Sequence, residues 1–180
     1  MTTSRIALLR GVNVGGKNKL PMKDLADIFR AAGCTDVATY IQSGNVVFRA
    51  RAAIAREIPA RIAAAIAEQH EIHTVVVMRT AAEWAEMVSN NPFATRSADP
   101  QALAVAFLAD TPSAARIAAL DPRRSPPDEF AVRGADVYLR LPNGFARTKL
   151  TNAWFDAQLA TTSTARNWRT VLELLERTRG

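Results

Sequence analysis

The chain is poor in the residues that mark several protein classes. It holds one cysteine, Cys34, among 180 residues, so no internal disulfide forms and a stapled secreted scaffold is excluded. No apolar run approaches the ~20 residues of a membrane span. No signal-peptide pattern opens the sequence. A cytoplasmic protein with no membrane partner is therefore expected. The two histidines, His70 and His73, lack a third ligand at a known spacing, so no metal site is expected. Neither a G-x-S-x-G elbow nor an H-E-x-x-H helix occurs, and nothing names a cofactor.

What is present fits a chain that buries a core. Hydrophobic residues make 48% and charged residues 22% of the sequence, which excludes disorder. The net charge is +6, with a pI near 10.2. A basic balance favours polyanionic partners such as nucleic acid or nucleotides. The surplus is evenly shared, however: residues 1–90 carry 11 basic and 8 acidic groups, and residues 91–180 carry 12 and 9. No basic tail exists. Of the 23 basic residues, 19 are arginine, and 34 residues are alanine. That composition also fits an ordinary solvated surface.

Apolar patterning divides the first half into alternating elements. Ser4–Val12 reads as a buried strand, and Met22–Ala32 as a helix between Pro21 and Gly33. Val37–Gln42 and Asn45–Phe48 read as strands joined by a turn at Ser43-Gly44. A helix over Ile54–Gln69 must kink at Pro59 or start near it, because an interior proline costs about 3 kcal/mol. Thr74–Met78 closes the unit as a β-branched strand. The order βαββαβ predicts a ferredoxin-like α+β unit with strand order 4-1-3-2.

The second half repeats the theme less completely. Thr80–Val88 reads as a helix and Asn90–Pro100 as a linker. Ala102–Ala109 is a strand. Thr111 caps a helix begun by Pro112. Phe130–Arg133 and Asp136–Leu141 form a hairpin, and Leu150–Leu159 and Asn167–Arg177 are closing helices. The expectation is βαββα with an extra helix and no last strand. Two packed ferredoxin-like subdomains follow, 1–90 and 91–180.

The sharpest chemical signal runs from Arg10 to Met22. Gly11, Gly15 and Gly16, with Arg10, Lys17 and Lys19 and no acidic residue, precede a helix start. Glycines let backbone amides converge, and a helix N-terminus adds positive potential, so the segment has the chemistry of an anion cradle. Gly11-x4-Gly16-Lys17 nearly matches a phosphate-binding P-loop. Asn18 stands where that motif needs Ser or Thr, and Pro21 starts the helix too late. The predicted topology brings this loop to the edge that holds Gln42, Ser43, Gly44 and Asn45. The loop holding His70 and His73 reaches the same edge. Cys34 reads as a packing residue. Two further basic clusters are Arg140–Lys149 and Thr164–Val171, in which arginines and an aromatic suit phosphates and bases. Trp168, Trp84 and Trp154 read as core residues of their helices.

Taken together, ALLRGVNVGGKNKLPM (Ala7–Met22), TYIQSGNVVF (Thr39–Phe48), the Asn91-Pro92-Phe93 turn and TARNWRTV (Thr164–Val171) resemble a bacterial family, domain of unknown function 1697. The resemblance implies two ferredoxin-like subdomains and no established activity. Its signature positions fall on Arg10, Gly11, Asn13, Gly15, Gly16, Lys17, Pro21, Tyr40, Gln42, Ser43, Gly44, Asn45, Arg166, Asn167, Trp168 and Thr170. Where members commonly carry S-K-L, this chain has Thr148-Lys149-Leu150, which keeps the hydroxyl.

Three readings of function follow. In the first, Arg10, Asn13, Gly15, Gly16, Lys17, Lys19, Gln42, Ser43 and Asn45, with Arg166 and Asn167, bind a phosphate-bearing small ligand or nucleotide. Nucleic acid is the larger version of that ligand, although only Phe48 offers a stacking platform on the third strand. In the second, an enzyme acts on a phosphorylated substrate with His70 or His73 as general base. In the third, the motif residues lock the two subdomains of a protein–protein module together.

Overall fold

The computed structural model describes residues 2–95 and 99–179. The chain folds as two compact units, residues 1–85 with 174–180, and residues 86–173. Each contains a four-stranded antiparallel sheet.

In the first unit the strands are β1 (Thr2–Leu9), β2 (Thr35–Tyr40), β3 (Asn45–Arg51) and β4 (Val76–Thr80), in the order β2-β3-β1-β4. That is the expected 4-1-3-2 order. The first strand ends three residues earlier than its apolar run implies. Gly11 at φ 69° and Asn13 at φ 54° turn the chain out of the sheet, so Val12 is buried as a loop residue. Helix α1 (Met22–Ala31) starts directly after Pro21, which is extended at φ −62°. Its face Leu25, Ala26, Ile28 and Phe29 is buried, as the 3.6-residue period requires. The expected long helix divides into α2 (Ala52–Ala55) and α3 (Ile58–His70). Pro59 sits in the first turn of α3, where its missing N–H leaves no intrahelical bond unmade. Ile58, Ile62 and Ile66 of α3 join Leu25, Phe29, Phe48 and Val76 in one apolar cluster. The Phe29 and Phe48 rings meet edge-on at 5.0 Å.

Helix α4 (Ala81–Ser89) follows β4 without a break, and Thr80 with Glu83 explains why the chain changes conformation there. The Thr80 amide donates to Glu83 Oε2 at 2.7 Å, and the Glu83 amide donates to Thr80 Oγ1 at 3.2 Å. This is a reciprocal capping box. Burial raises the Glu83 carboxyl. The Thr80 hydrogen bonds, helped by Arg79 and Arg5, outweigh that effect and leave its pKa below the ordinary value of 4.5. A carboxyl whose pKa is lowered by folding stabilises the native state above its unfolded pKa and loses that contribution as pH falls through its folded one. We therefore expect Glu83→Gln to be less stable than wild type at neutral pH, with the difference shrinking below about pH 4. Urea midpoints at neutral and acid pH measure it, and a pH-independent difference refutes the assignment.

The second unit contains β5 (Leu103–Leu108), α5 (Ala114–Ala118), β6 (Glu129–Arg133), β7 (Asp136–Arg140), α6 (Asn152–Leu159) and β8 (Ser163–Asn167), with strand order β6-β7-β5-β8. Helix α7 (Trp168–Arg177) follows β8 directly. The sequence reading missed β8. The second half is therefore not an incomplete βαββα repeat, because β8 pairs antiparallel with β5 from Ala104↔Asn167 to Leu108↔Ser163. Its buried positions are Ser163, Thr164 and Arg166, so no apolar alternation announces it. The cap of α5 is Ser113, whose Oγ accepts the Arg116 amide at 3.3 Å, not Thr111. Trp84 and Trp168 are buried as expected, while Trp154 is only half-buried, edge-on to Phe155 at 4.9 Å. Of the expected linker Asn90–Pro100, residues 96–98 lie outside the described residues. Among the described residues, no helix is long and apolar enough to cross a membrane.

Candidate functional site

The glycine-rich segment is a closed hairpin, not an open strap. The Asn13 amide donates to the Asn18 carbonyl at 3.0 Å, and the Lys17 amide to the Val14 carbonyl at 3.0 Å. Gly15 at φ 58° and Gly16 at φ 75° form the two-residue tip, the double positive-φ turn that suits right-twisted strands. Asn13 and Asn18 are left-handed as well, at φ 54° and 51°. Both tie the hairpin down with their side chains. Asn18 Nδ2 donates to the Gly11 carbonyl at 2.9 Å. Asn13 Nδ2 donates to the carbonyls of Leu20 at 2.9 Å and Gln42 at 2.8 Å, and its Oδ1 accepts the Leu20 amide at 2.8 Å.

Those bonds bring the sequence-predicted residues of the first unit to one edge of its sheet. The hairpin lies against the β2–β3 turn through Asn13 and Gln42. The Leu9 amide donates to the Gly44 carbonyl at 2.9 Å. On the other side the Arg10 amide donates to the Val75 carbonyl at 3.0 Å, and the Thr74 hydroxyl donates to the Arg10 carbonyl at 2.8 Å. Thr74 and Val75 were not singled out from the sequence. Their pairing with Arg10 spans 64 residues for Thr74, and nothing local marks it.

The side chains at this edge divide into two groups. Asn13 and Asn45 hold the scaffold. Asn45 is fully buried, and its Nδ2 donates to the Tyr40 carbonyl at 3.1 Å and to Ser43 Oγ at 2.9 Å. Both side chains position the loops of this edge. Lys17, Lys19 and the Gln42 side chain face solvent, and among the described residues neither lysine has an ion-pair partner. The amides of Gly15 and Gly16 likewise have no acceptor among the described residues. Three exposed aliphatic side chains, Val14, Ile41 and Val75, share the edge. Tyr40, at the end of β2, lies under the Arg177 guanidinium, 4.7 Å from its ring centroid.

Helix α1 begins five residues after Lys17 and the sheet is antiparallel, so the P-loop likeness of Gly11–Lys17 does not extend to the fold. His70 Nε2 is 3.7 Å from Asp24 Oδ2 in the first turn of α1. His73 is exposed, one residue before Thr74. Burial, opposed by Arg61, raises the Cys34 thiol above its ordinary value, which disfavours the thiolate. Among the described residues, no three His, Cys, Asp or Glu side chains are grouped to hold a metal ion.

Arg166 and Asn167 belong to the second unit and close β8, and Asn167 stands directly before the first residue of α7. Arg166 is buried, with NH1 donating to Thr164 Oγ1 at 2.7 Å and to the Ala165 carbonyl at 2.8 Å. Loss of water pushes its pKa down to about 10, so it remains a cation at neutral pH. Asn167 caps α7, its Oδ1 accepting the Thr170 amide at 2.8 Å.

Two antiparallel α+β units, one with a self-locked glycine hairpin at its sheet edge, define the class of protein. The model of the family described as Protein of unknown function (DUF1697) matches residues 1–138, and the chain belongs to that family. The Thr164–Val171 segment lies beyond the matched residues. A solved structure, that of the conserved bacterial protein SP0830 from Streptococcus pneumoniae, is similar over 99% of both chains with a TM-score of 0.76 and 20% identity. At that identity the likeness shows the fold alone. No curated protein matches.

Proposed function

We propose that the glycine hairpin of the first unit binds the phosphate group of a small anionic ligand such as a nucleotide. The observation that carries this reading is the exposed tip itself: two unaccepted glycine amides beside Lys17 and Lys19, with no acidic residue from Arg10 to Pro21. Backbone donors hold a phosphate oxygen without side-chain entropy loss, and a lysine supplies the point charge. The Asn13 and Asn18 bonds keep the donors fixed before a ligand arrives, which lowers the ordering cost of binding. Arg10 and Gln42 complete the rim. We read each unit as ferredoxin-like, the halves 1–90 and 91–180 as its two copies, and the single buried cysteine as fitting a cytosolic setting.

One observation favours a second reading. Val14, 63% exposed, stands at the hairpin beside Ile41 and Val75, and protruding aliphatic residues suit a protein partner.

Thermal melting against inorganic phosphate, nucleotides and short oligonucleotides, at low and physiological salt, tests the first reading. At a hundredfold excess over Kd, bound ligand adds about 2.7 kcal/mol and raises Tm by roughly 5–10 °C. Lys17→Ala is expected to remove the shift without changing the melting point of the free protein. No shift with any phosphate compound moves the assignment to the protein-partner reading.

A further inference from the structure

The second unit carries a charged surface of its own, built by residues 121–128 and 142–149. Ser125 joins the two loops: its hydroxyl accepts the Lys149 amide at 2.9 Å and donates to the Asp128 carboxylate at 2.7 Å. The Gly144 amide closes the second loop onto the Leu141 carbonyl at 3.0 Å. These bonds tie together two loops that carry four exposed cations, Arg123, Arg124, Arg147 and Lys149. Among the described residues none of the four has a carboxylate partner. The two acidic residues of these loops are turned to other uses. Asp128 is buried on Ser125, and Asp121 accepts the Arg123 amide at 2.9 Å. Arg124 lies over Trp154, 6.0 Å from its ring centroid. Phe145, two residues before Arg147, is 48% exposed.

Exposed cations on two hydrogen-bonded loops, with an exposed ring in one of them, match a single-stranded nucleic acid, whose phosphates alternate with flat bases. We propose that this surface binds single-stranded nucleic acid, with Arg123, Arg147 and Lys149 on backbone phosphates and a base stacked on Phe145. A bilayer is the other anionic surface that takes cations with a phenyl ring, but docking there draws on a broad apolar face. Here the neighbours of Phe145 in its loop are Pro142, Asn143, Gly144 and Ala146, with no second large apolar side chain among them. The site is independent of the glycine hairpin.

The test is fluorescence anisotropy with labelled oligo-dT and oligo-rU of about twelve nucleotides, titrated at salt from about 50 to 200 mM. Three phosphate contacts give a log–log salt slope near −2. Arg147→Ala/Lys149→Ala is expected to flatten that slope by about 1.4. Phe145→Ala is expected to weaken binding about tenfold with the slope unchanged, because stacking releases no counterions. All three side chains are exposed, so the variants keep the wild-type melting point. Lys17→Ala binds as wild type. The proposal is overturned by absent binding at low salt, by an unchanged slope in the double variant, or by undiminished affinity in Phe145→Ala. It is equally overturned if Lys17→Ala alone abolishes binding, or if phosphatidylserine vesicles bind through Phe145 while oligonucleotides do not.

Discussion

Gly44→Ala is expected to be among the most damaging single-methyl changes in the first unit. Gly44 sits at φ +73°, and a Cβ there would lie 2.7 Å from Val12 Cγ2 and 2.8 Å from Leu9 Cβ. Val12 and Leu9 are both buried, so neither neighbour can swing into solvent. The left-handed backbone costs alanine about 1–2 kcal/mol. Forcing a methyl into packed side chains adds about 1–3 kcal/mol. The sum, roughly 2–5 kcal/mol, corresponds to a fall in Tm near 10 °C for a chain of this size. Gly15→Ala is the control. It has a similar φ of +58° with nothing within 4 Å of the added carbon, so only the backbone cost remains, partly offset by a less flexible unfolded chain. Urea denaturation of the two variants side by side separates contact from conformation. Equal losses in both would mean that the close approach of the β2–β3 turn to Leu9 and Val12 has no energetic weight.

Asn13→Asp carries the second large effect. Aspartate tolerates the φ of 54° nearly as well as asparagine and keeps an oxygen for the Leu20 amide. What changes is the Nδ2 position, which now presents a carboxylate oxygen to the carbonyls of Leu20 and Gln42. Two hydrogen bonds worth about 1 kcal/mol each become two repulsive contacts, for a loss of about 2–4 kcal/mol. Protonating the new carboxyl restores one donor, so the loss is expected to shrink at acid pH. Amide exchange at Asn13 and Lys17 reports it, since those N–H groups close the hairpin. Unchanged protection at both would show that the hairpin stands without the two Nδ2 bonds. If the hairpin is also the phosphate site, Asn13→Asp weakens ligand binding by loosening the loop, whereas Lys17→Ala weakens it with stability intact.

Much of the first unit was legible in the sequence. Apolar runs interrupted by Pro21, Gly33, Ser43-Gly44 and Pro59 mark its elements to within a few residues, because proline and glycine punctuate the chain by local sterics alone. The strand order followed from element order, since two crossovers on one sheet leave few arrangements. The glycine loop was visible for the same local reason: Gly15 and Gly16 occupy the positive-φ positions that other residues avoid.

Tertiary structure decided what the polar residues do. Asn13 and Asn45 read as ligand contacts in one dimension. In three they hold the carbonyls of Gln42, Leu20 and Tyr40, because a carboxamide offers both donors and an acceptor and binds whatever backbone the fold brings near. Strand β8 escaped detection because its buried positions are Ser163, Thr164 and Arg166. Ser163 is held by Asp156 and Asn152, and Arg166 by Thr164, while β5 supplies the ladder. Apolar burial follows from a residue's own cost of meeting water and is therefore written in the sequence. Polar burial is allowed only where partners remote in sequence arrive with the right geometry, and only the folded chain settles where that happens.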